Sequence, residues 1–359
     1  MSPRHPYVGL PDRQFWKNEP GIADPARFDP VSDVPFQIAR TDRVVTAGSC
    51  FAQHLGRRLA DAGFDHFIAE PAHSLFDADL AHRFGYGIFS ARYGNIYTTR
   101  QLLQLLQRAY GLFVPLAESW PRHAAGRVVD PFRPQIQPDG FVSAAELSDD
   151  RAQHFAAVRD AVESMDFFVF TLGLTECWED TRDGAIFPLA PGIAGGLFDA
   201  DTVRFRNFDE AETAADLLSA LQFIRQRNPG VRVVLTVSPV PLNATYESRH
   251  VYVSTAWSKA ILRIAAAKTC AALSDCCYFP SYEIITAPHV RGRYYADDCR
   301  EVLPTGVDHV MGLFFKHFAG DTAARIVQPS EDLPKSQVVS AKAAQIMDIL
   351  CDEQAITNR

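Results

Sequence analysis

The chain has 359 residues, 47% hydrophobic and 22% charged, with a formal net charge of −8. That length and apolar content suit one α/β domain with insertions, and the acidic balance gives no electrostatic reason to expect nucleic acid as a partner. No apolar run is long enough to cross a bilayer, and Met1-Ser2-Pro3-Arg4-His5-Pro6 lacks the apolar core of a signal peptide, so a cytoplasmic location with seven free thiols is expected.

Residues 1–40 are rich in Pro and Asp, with Phe15, Trp16, Phe28 and Phe36 scattered through them. They read as an irregular arm whose aromatic side chains dock on the body, residues 41–325. Val44 and Val45, with Thr46 and Ala47, form a short buried strand. Gly48-Ser49 makes a tight turn, and Leu55 and Leu59 then recur at helical spacing until Gly63 stops the helix. Phe64 to Ile68 reads as a second strand. Arg92-Tyr93-Gly94-Asn95 is a turn signal, and Thr98 or Thr99 caps a helix from Arg100 to Tyr110.

The proline-rich stretch 111–150 reads as a first insertion of loop or short antiparallel pieces. A helix is expected from about Ser148 to Ser164. Asp166 to Leu172 is a continuous apolar run ended by Gly173, the pattern of a strand buried on both faces. A second insertion covers 184–208. Glu210 to Arg227 is an amphipathic helix, Val231 to Val237 a buried strand, Trp257 to Leu273 a helix and Cys277 to Phe279 a short strand. Thr305 to Phe318 is the last helix of the body. Residues 326–359 form a polar tail with a short amphipathic run from Ala341 to Leu350.

Strands and helices alternate throughout. That order predicts an α/β three-layer sandwich, a mainly parallel sheet with helices on both faces, and function at the carboxyl ends of the strands. Ser49, Gly94, Gly173, Ser238 and Glu283 each follow a strand or its loop and converge on one rim. A serine between a strand end and a helix start can be a nucleophile beside the helix amides, or it can simply cap the helix.

Gly48-Ser49-Cys50-Phe51-Ala52 resembles the name motif of the GSCFA family, which is related to the SGNH/GDSL hydrolases. The same resemblance holds in order for His5-Pro6-Tyr7, Tyr93 to Tyr97, Thr171 to Glu176, Thr236 to Val240 and Tyr278 to Ile284. It implies a flavodoxin-like strand order and an acyl-enzyme mechanism. Carried over by position, Ser49 is the nucleophile, its own amide and Gly94 are oxyanion donors, and Thr175 stands where the relatives place an asparagine. Asn95 is a second candidate for that missing amide, and Glu176 is a rim carboxylate with substrate within reach. The relatives also carry Asp-x-x-His before the last helix, which here reads Asp298-Cys299-Arg300-Glu301, without the histidine.

His309 lies eight residues on, roughly 12 Å along a helix. His250, in the loop after the Val231–Val237 strand, is the better base, with Glu283 or Asp298 to orient it. This reading predicts His250 Nε2 within hydrogen-bond reach of Ser49 Oγ. Cys50 as nucleophile is disfavoured, since it points away from the turn if Ser49 points outward. The lone histidines 54, 66, 73 and 82 lack carboxylates at ligand spacing, so no metal is expected, nor any cofactor. Two functions follow. One is a serine esterase or O-acyltransferase acting on a small acyl ester, with a carbohydrate as carrier or acceptor. The other is a non-catalytic binder of a glycan or partner on the same scaffold. Nothing in the sequence fixes an oligomeric state.

Overall fold

Apolar runs at four places in the sequence pair side by side as one parallel sheet. The computed structural model describes residues 5–32, 34–122, 126–319 and 352–356. In chain order the elements are β1 (Val44–Gly48), α1 (Phe51–Asp61), α2 (Ala78–Arg83), α3 (Thr99–Ala109), β2 (Trp120–Pro121), β3 (Val128–Val129) and α4 (Ala144–Ser164). There follow β4 (Phe167–Leu172), β5 (Glu176–Asp180), β6 (Ile186–Phe187), β7 (Val203–Asn207), α5 (Glu210–Arg227), β8 (Arg232–Val237) and α6 (Val251–Ala272). β9 (Cys276–Phe279), α7 (Ser281–Thr286), α8 (Pro304–Phe318) and a final 3-10 turn, Asp352–Ile356, complete the order. The run 341–350 lies outside the described residues.

The central sheet has the order β1-β4-β8-β9, all parallel. Successive side chains on a strand point to opposite faces. Val45, Phe168, Phe170, Val233 and Leu235 therefore meet Leu102, Val158, Leu217 and Leu262 from α3, α4, α5 and α6. Val44, Phe167, Val169, Val234 and Phe279 meet Leu55, Ile284 and Phe314 from α1, α7 and α8. The result is a mixed α/β three-layer arrangement with a parallel sheet in the middle. Residues of the N-terminal stretch cover the second face. Phe28 stacks on His289, and Ile38 N donates to Phe318 O at 2.7 Å.

Three boundaries differ from the sequence reading for identifiable reasons. The expected second strand is reduced to a single parallel bridge between His66 and Val44. Phe67 N still bonds Val44 O, but Ala69 N turns away to Ser90 O. α4 starts at Ala144 because Ser143 accepts from Glu146 N, a capping signal four residues earlier than expected. α6 starts at Val251 because His250 caps it. The second insertion supplies β6 and β7 to a small antiparallel sheet of order β6-β5-β7.

A buried charge network fixes the loop after residue 90. Arg92 bonds Asp150 at 2.7 Å, and its amide donates to Glu70 at 2.7 Å. Arg133 bridges Asp130 and Asp150, and its guanidinium also reaches Arg92 O. Burial of all these charges is tolerable only because each finds opposite charge.

At the end of β1, Gly48 has φ +130°, and a Cβ there would lie 2.2 Å from Thr171 O. Gly48→Ala should therefore cost about 3 kcal/mol or more, through strain and forced separation of β1 from β4. A urea melt of the variant reads this directly; an unchanged midpoint would contradict the close approach.

Candidate functional site

The parallel register of β1 and β4 delivers Ser49 to the carboxyl edge of the sheet. Ser49 N donates to Thr171 O at 3.0 Å, so the serine's own amide is spent on the neighbouring strand and not held for an oxyanion. The side chain is 3% exposed, and Ser49 Oγ has no hydrogen-bond partner among the described residues. α1 is capped at Cys50 with no side-chain bond, so the helix-capping reading of Ser49 fails. Gly173 closes over it: a Cβ there would stand 2.9 Å from Ser49 Cβ.

Behind Gly173 lies a residue that the sequence reading missed. Lys259, from the middle of α6, is 1% exposed and donates from Nζ to Gly173 O at 2.8 Å. Burial pushes its ammonium down to about 8, against the pull of Glu353 and of Cys50, while Arg300 pushes the same way as burial. The signal was present in the spacing. Thr255, Ser258, Leu262, Ala266 and Thr269 share the buried stripe of α6, and Lys259 falls on it. A lysine on a core stripe stands out because lysine is almost never fully buried unless paired.

The rim is completed from the far end of the chain. Asn95 is buried, accepts from Gln53 Nε2 at 3.3 Å and donates from Nδ2 to Asp352 Oδ2 at 3.0 Å. Asp352 N donates to Tyr97 OH at 3.1 Å. Glu353 accepts from Arg300 at 3.0 Å and from Asn243 N at 3.3 Å, and its carbonyl takes Asn243 Nδ2 at 2.8 Å. The turn 352–356 thus presents two carboxylates to the polar edge of the sheet. Sequence periodicity cannot reveal a contact between residues some 250 positions apart.

Other expected site residues are placed differently. His250 is exposed, and its Nδ1 accepts from Tyr252 N at 3.1 Å as the cap of α6. An accepting Nδ1 leaves the ring proton on Nε2, so that nitrogen has no lone pair to offer a serine. The hydrogen bond expected between His250 and Ser49 is absent. Glu283 accepts from Arg263 Nε at 2.9 Å and from Tyr278 OH at 2.8 Å; it makes an ion pair at the start of α7 and orients no imidazole. Asp298 caps its own turn, accepting from Arg300 N and Glu301 N. His309 hydrogen-bonds the Tyr294 hydroxyl instead of facing solvent alone.

Thr175 donates its hydroxyl to Asn207 Oδ1 at 2.7 Å, so that donor too is committed. Gly94 sits in the left-handed region at φ +67° with open space where a Cβ would be. Ile96 N, two residues on, donates to Gly48 O at 2.8 Å and holds the Gly94–Asn95 turn beside Ser49. Glu176 faces a separate cavity, described below. Among the described residues no group of His, Cys, Asp and Glu has the arrangement of a metal site.

A parallel α/β sheet that ends β1 in a glycine–serine turn, with further polar loops gathered over it, defines a class of Ser-bearing three-layer proteins. The model of the GSCFA family matches residues 43–314, and the chain belongs to that family. No curated protein matches the chain.

The lowered value of Lys259 has a thermodynamic consequence. Folded, the group takes its proton at about 8; its ordinary value is 10.5. Between these values the unfolded chain binds more protons, so stability rises with pH from about 8 to 10.5 and carries a constant penalty below 8. Thermal melts over that window should show the midpoint of the natural chain climbing relative to Lys259→Met. Parallel curves would mean that Lys259 is not desolvated.

Proposed function

We propose that the protein is a serine-dependent ester hydrolase or O-acyltransferase of SGNH type, with Ser49 as nucleophile and Lys259 as its base. The observation that carries this reading is the juxtaposition at Gly173. An unpartnered buried hydroxyl packs against that glycine, whose carbonyl accepts from a buried amine of lowered pKa. The strand order supports the SGNH resemblance: with the His66 bridge counted as a second strand, it reads 2-1-3-4-5, the flavodoxin-like order.

In its neutral form Lys259 keeps one N–H on Gly173 O and has a lone pair for the serine proton. With the two side chains brought within hydrogen-bond reach, Ser49 Oγ attacks the ester carbonyl carbon as its proton passes to Nζ. The carbon–oxygen bond then breaks, and the leaving alkoxide takes the proton back from the Lys259 ammonium. Water or a sugar hydroxyl attacks the acyl-Ser49 ester by the same route in reverse. The Gly94 backbone amide and the Asn95 side-chain amide are the remaining candidate oxyanion donors, and Asn95 is engaged by the Asp352 carboxylate, an anionic oxygen standing in for the charge that the reaction develops. The acyl group is taken as small because Ser49 is 3% exposed. The carbohydrate acceptor rests on the wider resemblance alone.

Hydrolysis of p-nitrophenyl acetate tests the assignment. The rate should rise with pH through a midpoint near 8, where Lys259 loses its proton, not near 6.5 as a free histidine would require. Ser49→Ala and Lys259→Met should each lower kcat by about 10³-fold or more, whereas His250→Ala should leave it within about twofold. A midpoint near 6.5 that disappears in His250→Ala would restore the histidine and remove the lysine.

Deletion of residues 352–359 should raise kcat/KM, because it removes the Asp352 carboxylate from Asn95 Nδ2. A drop in the truncated chain would instead make Asp352 or Glu353 part of the working site.

A second reading has its own observation. With the Ser49 amide on Thr171 O and the Thr175 hydroxyl on Asn207, two expected oxyanion donors are spent, as in a protein that binds without turning over. A fluorophosphonate separates the two, since covalent labelling at Ser49 requires an activated nucleophile.

A further inference from the structure

A cavity of about 400 Å³ lies beside the rim, between the small antiparallel sheet and the loop that follows β8. That volume falls in the usual range for a small-molecule site, about 300–1,000 Å³. Its floor follows from strand alternation. Glu176 and Trp178 are two apart on β5 and share a face, and Phe205 on β7 is the cross-strand partner of Trp178. Tyr246 joins them from the loop, with ring centroids 4.9 Å from Trp178 and 5.4 Å from Phe205. Phe198 packs edge-on to Trp178 at 5.4 Å. Phe198 and Tyr246 are 47% and 66% exposed, so the aromatic group opens to solvent on one side.

The charged residues of the lining are both carboxylates, Glu176 and Glu353. Glu353 is neutralised by Arg300. Glu176 accepts the Thr245 hydroxyl at 2.7 Å, yet no Lys, Arg or His forms a salt bridge with it among the described residues. Burial, with the charge of Glu247, pushes its carboxyl up, against the pull of Arg249, whose guanidinium is paired with Glu247. A carboxylate in an aromatic-walled hollow, with no salt bridge among the described residues, is a site with half of an ion pair supplied. Aromatic faces attract cations through the ring quadrupole, most strongly at Trp.

We propose that this cavity binds an organic cation, an ammonium group on a compact apolar body, with the charge against Glu176 and the body against Trp178, Phe205 and Tyr246. The proposal is independent of any reaction at Ser49. The same lining disfavours anionic ligands, which would meet an unpaired carboxylate.

Calorimetric titration of the full chain with benzyltrimethylammonium, benzyl alcohol and benzoate tests the charge preference. The cation should bind at least about tenfold more tightly than the alcohol, and benzoate should show no binding. Glu176→Gln keeps the shape and removes the charge. It should weaken the cation by about tenfold and leave the alcohol within about twofold, which also shows that the variant is folded. Repeating the titration in Ser49→Ala keeps the result separate from the catalytic assignment, since the cavity should bind identically there. Equal affinities for the three probes, no binding of the cation, or a Glu176→Gln variant with unchanged cation affinity would each overturn the proposal.

Discussion

The close approach of Gly48 to Thr171 is the constraint on which the candidate site depends. A side chain at position 48 would strike the Thr171 carbonyl, so only glycine lets β1 run to its end in register with β4. That contact positions Ser49 and consumes its amide. It also brings Gly173 against the serine side chain, and Gly173 O accepts from Lys259 Nζ. Gly48 at the end of β1 and Gly173 just past β4 therefore do what a larger residue at either position would prevent: they let the two strand ends close on Ser49.

The second organising feature is how charge is handled around that edge. Arg92 and Arg133 are buried and share the half-buried Asp150, so the turn carrying Gly94 and Asn95 is tied to α4 by largely desolvated ion pairs. Such pairs contribute little net stability, but breaking one leaves a stranded charge. The turn is thus held in one place. On the opposite side, Arg300 is paired with Glu353, and Lys259 lies in the field of both. The amine is depressed by burial while a carboxylate opposes that effect. This balance leaves it near the middle of the range in which a base can exchange a proton.

Much of the architecture was legible in the sequence because the sheet is buried on both faces and its strands read as unbroken apolar runs. α5 is bounded by a capping box at Asp209 and Glu212 and by Asn228-Pro229-Gly230, and its limits follow from those residues. The segment at 64–68 was not legible as a bridge. Its composition favours a strand, and only the tertiary bond of Ala69 to Ser90 draws it away. The serine turn could be found from local spacing. A search of loops for histidine could not find Lys259, because it sits in mid-helix on a core stripe. His250 had the right location in topology, but its ring is turned to the helix it caps. Thr175 illustrates the same limit: the hydroxyl was visible in the sequence, but its commitment to Asn207, across a strand pair, was not.

The turn at 352–356 gives the rim an unusual concentration law. Its carboxylates reach Asn95 and Arg300 from within the same chain, so they compete with any incoming ligand intramolecularly. Dilution does not weaken such a competitor, and adding more protein does not strengthen it. Occupancy of the edge beside Ser49 is then a property of each molecule, set by outside ligand alone. Because Glu353 and Ile356 also line the aromatic cavity, a ligand seated there touches the same segment that covers Asn95. A ligand that displaced this segment from one hollow would thereby alter the other, and by reciprocity the reverse would hold to the same degree.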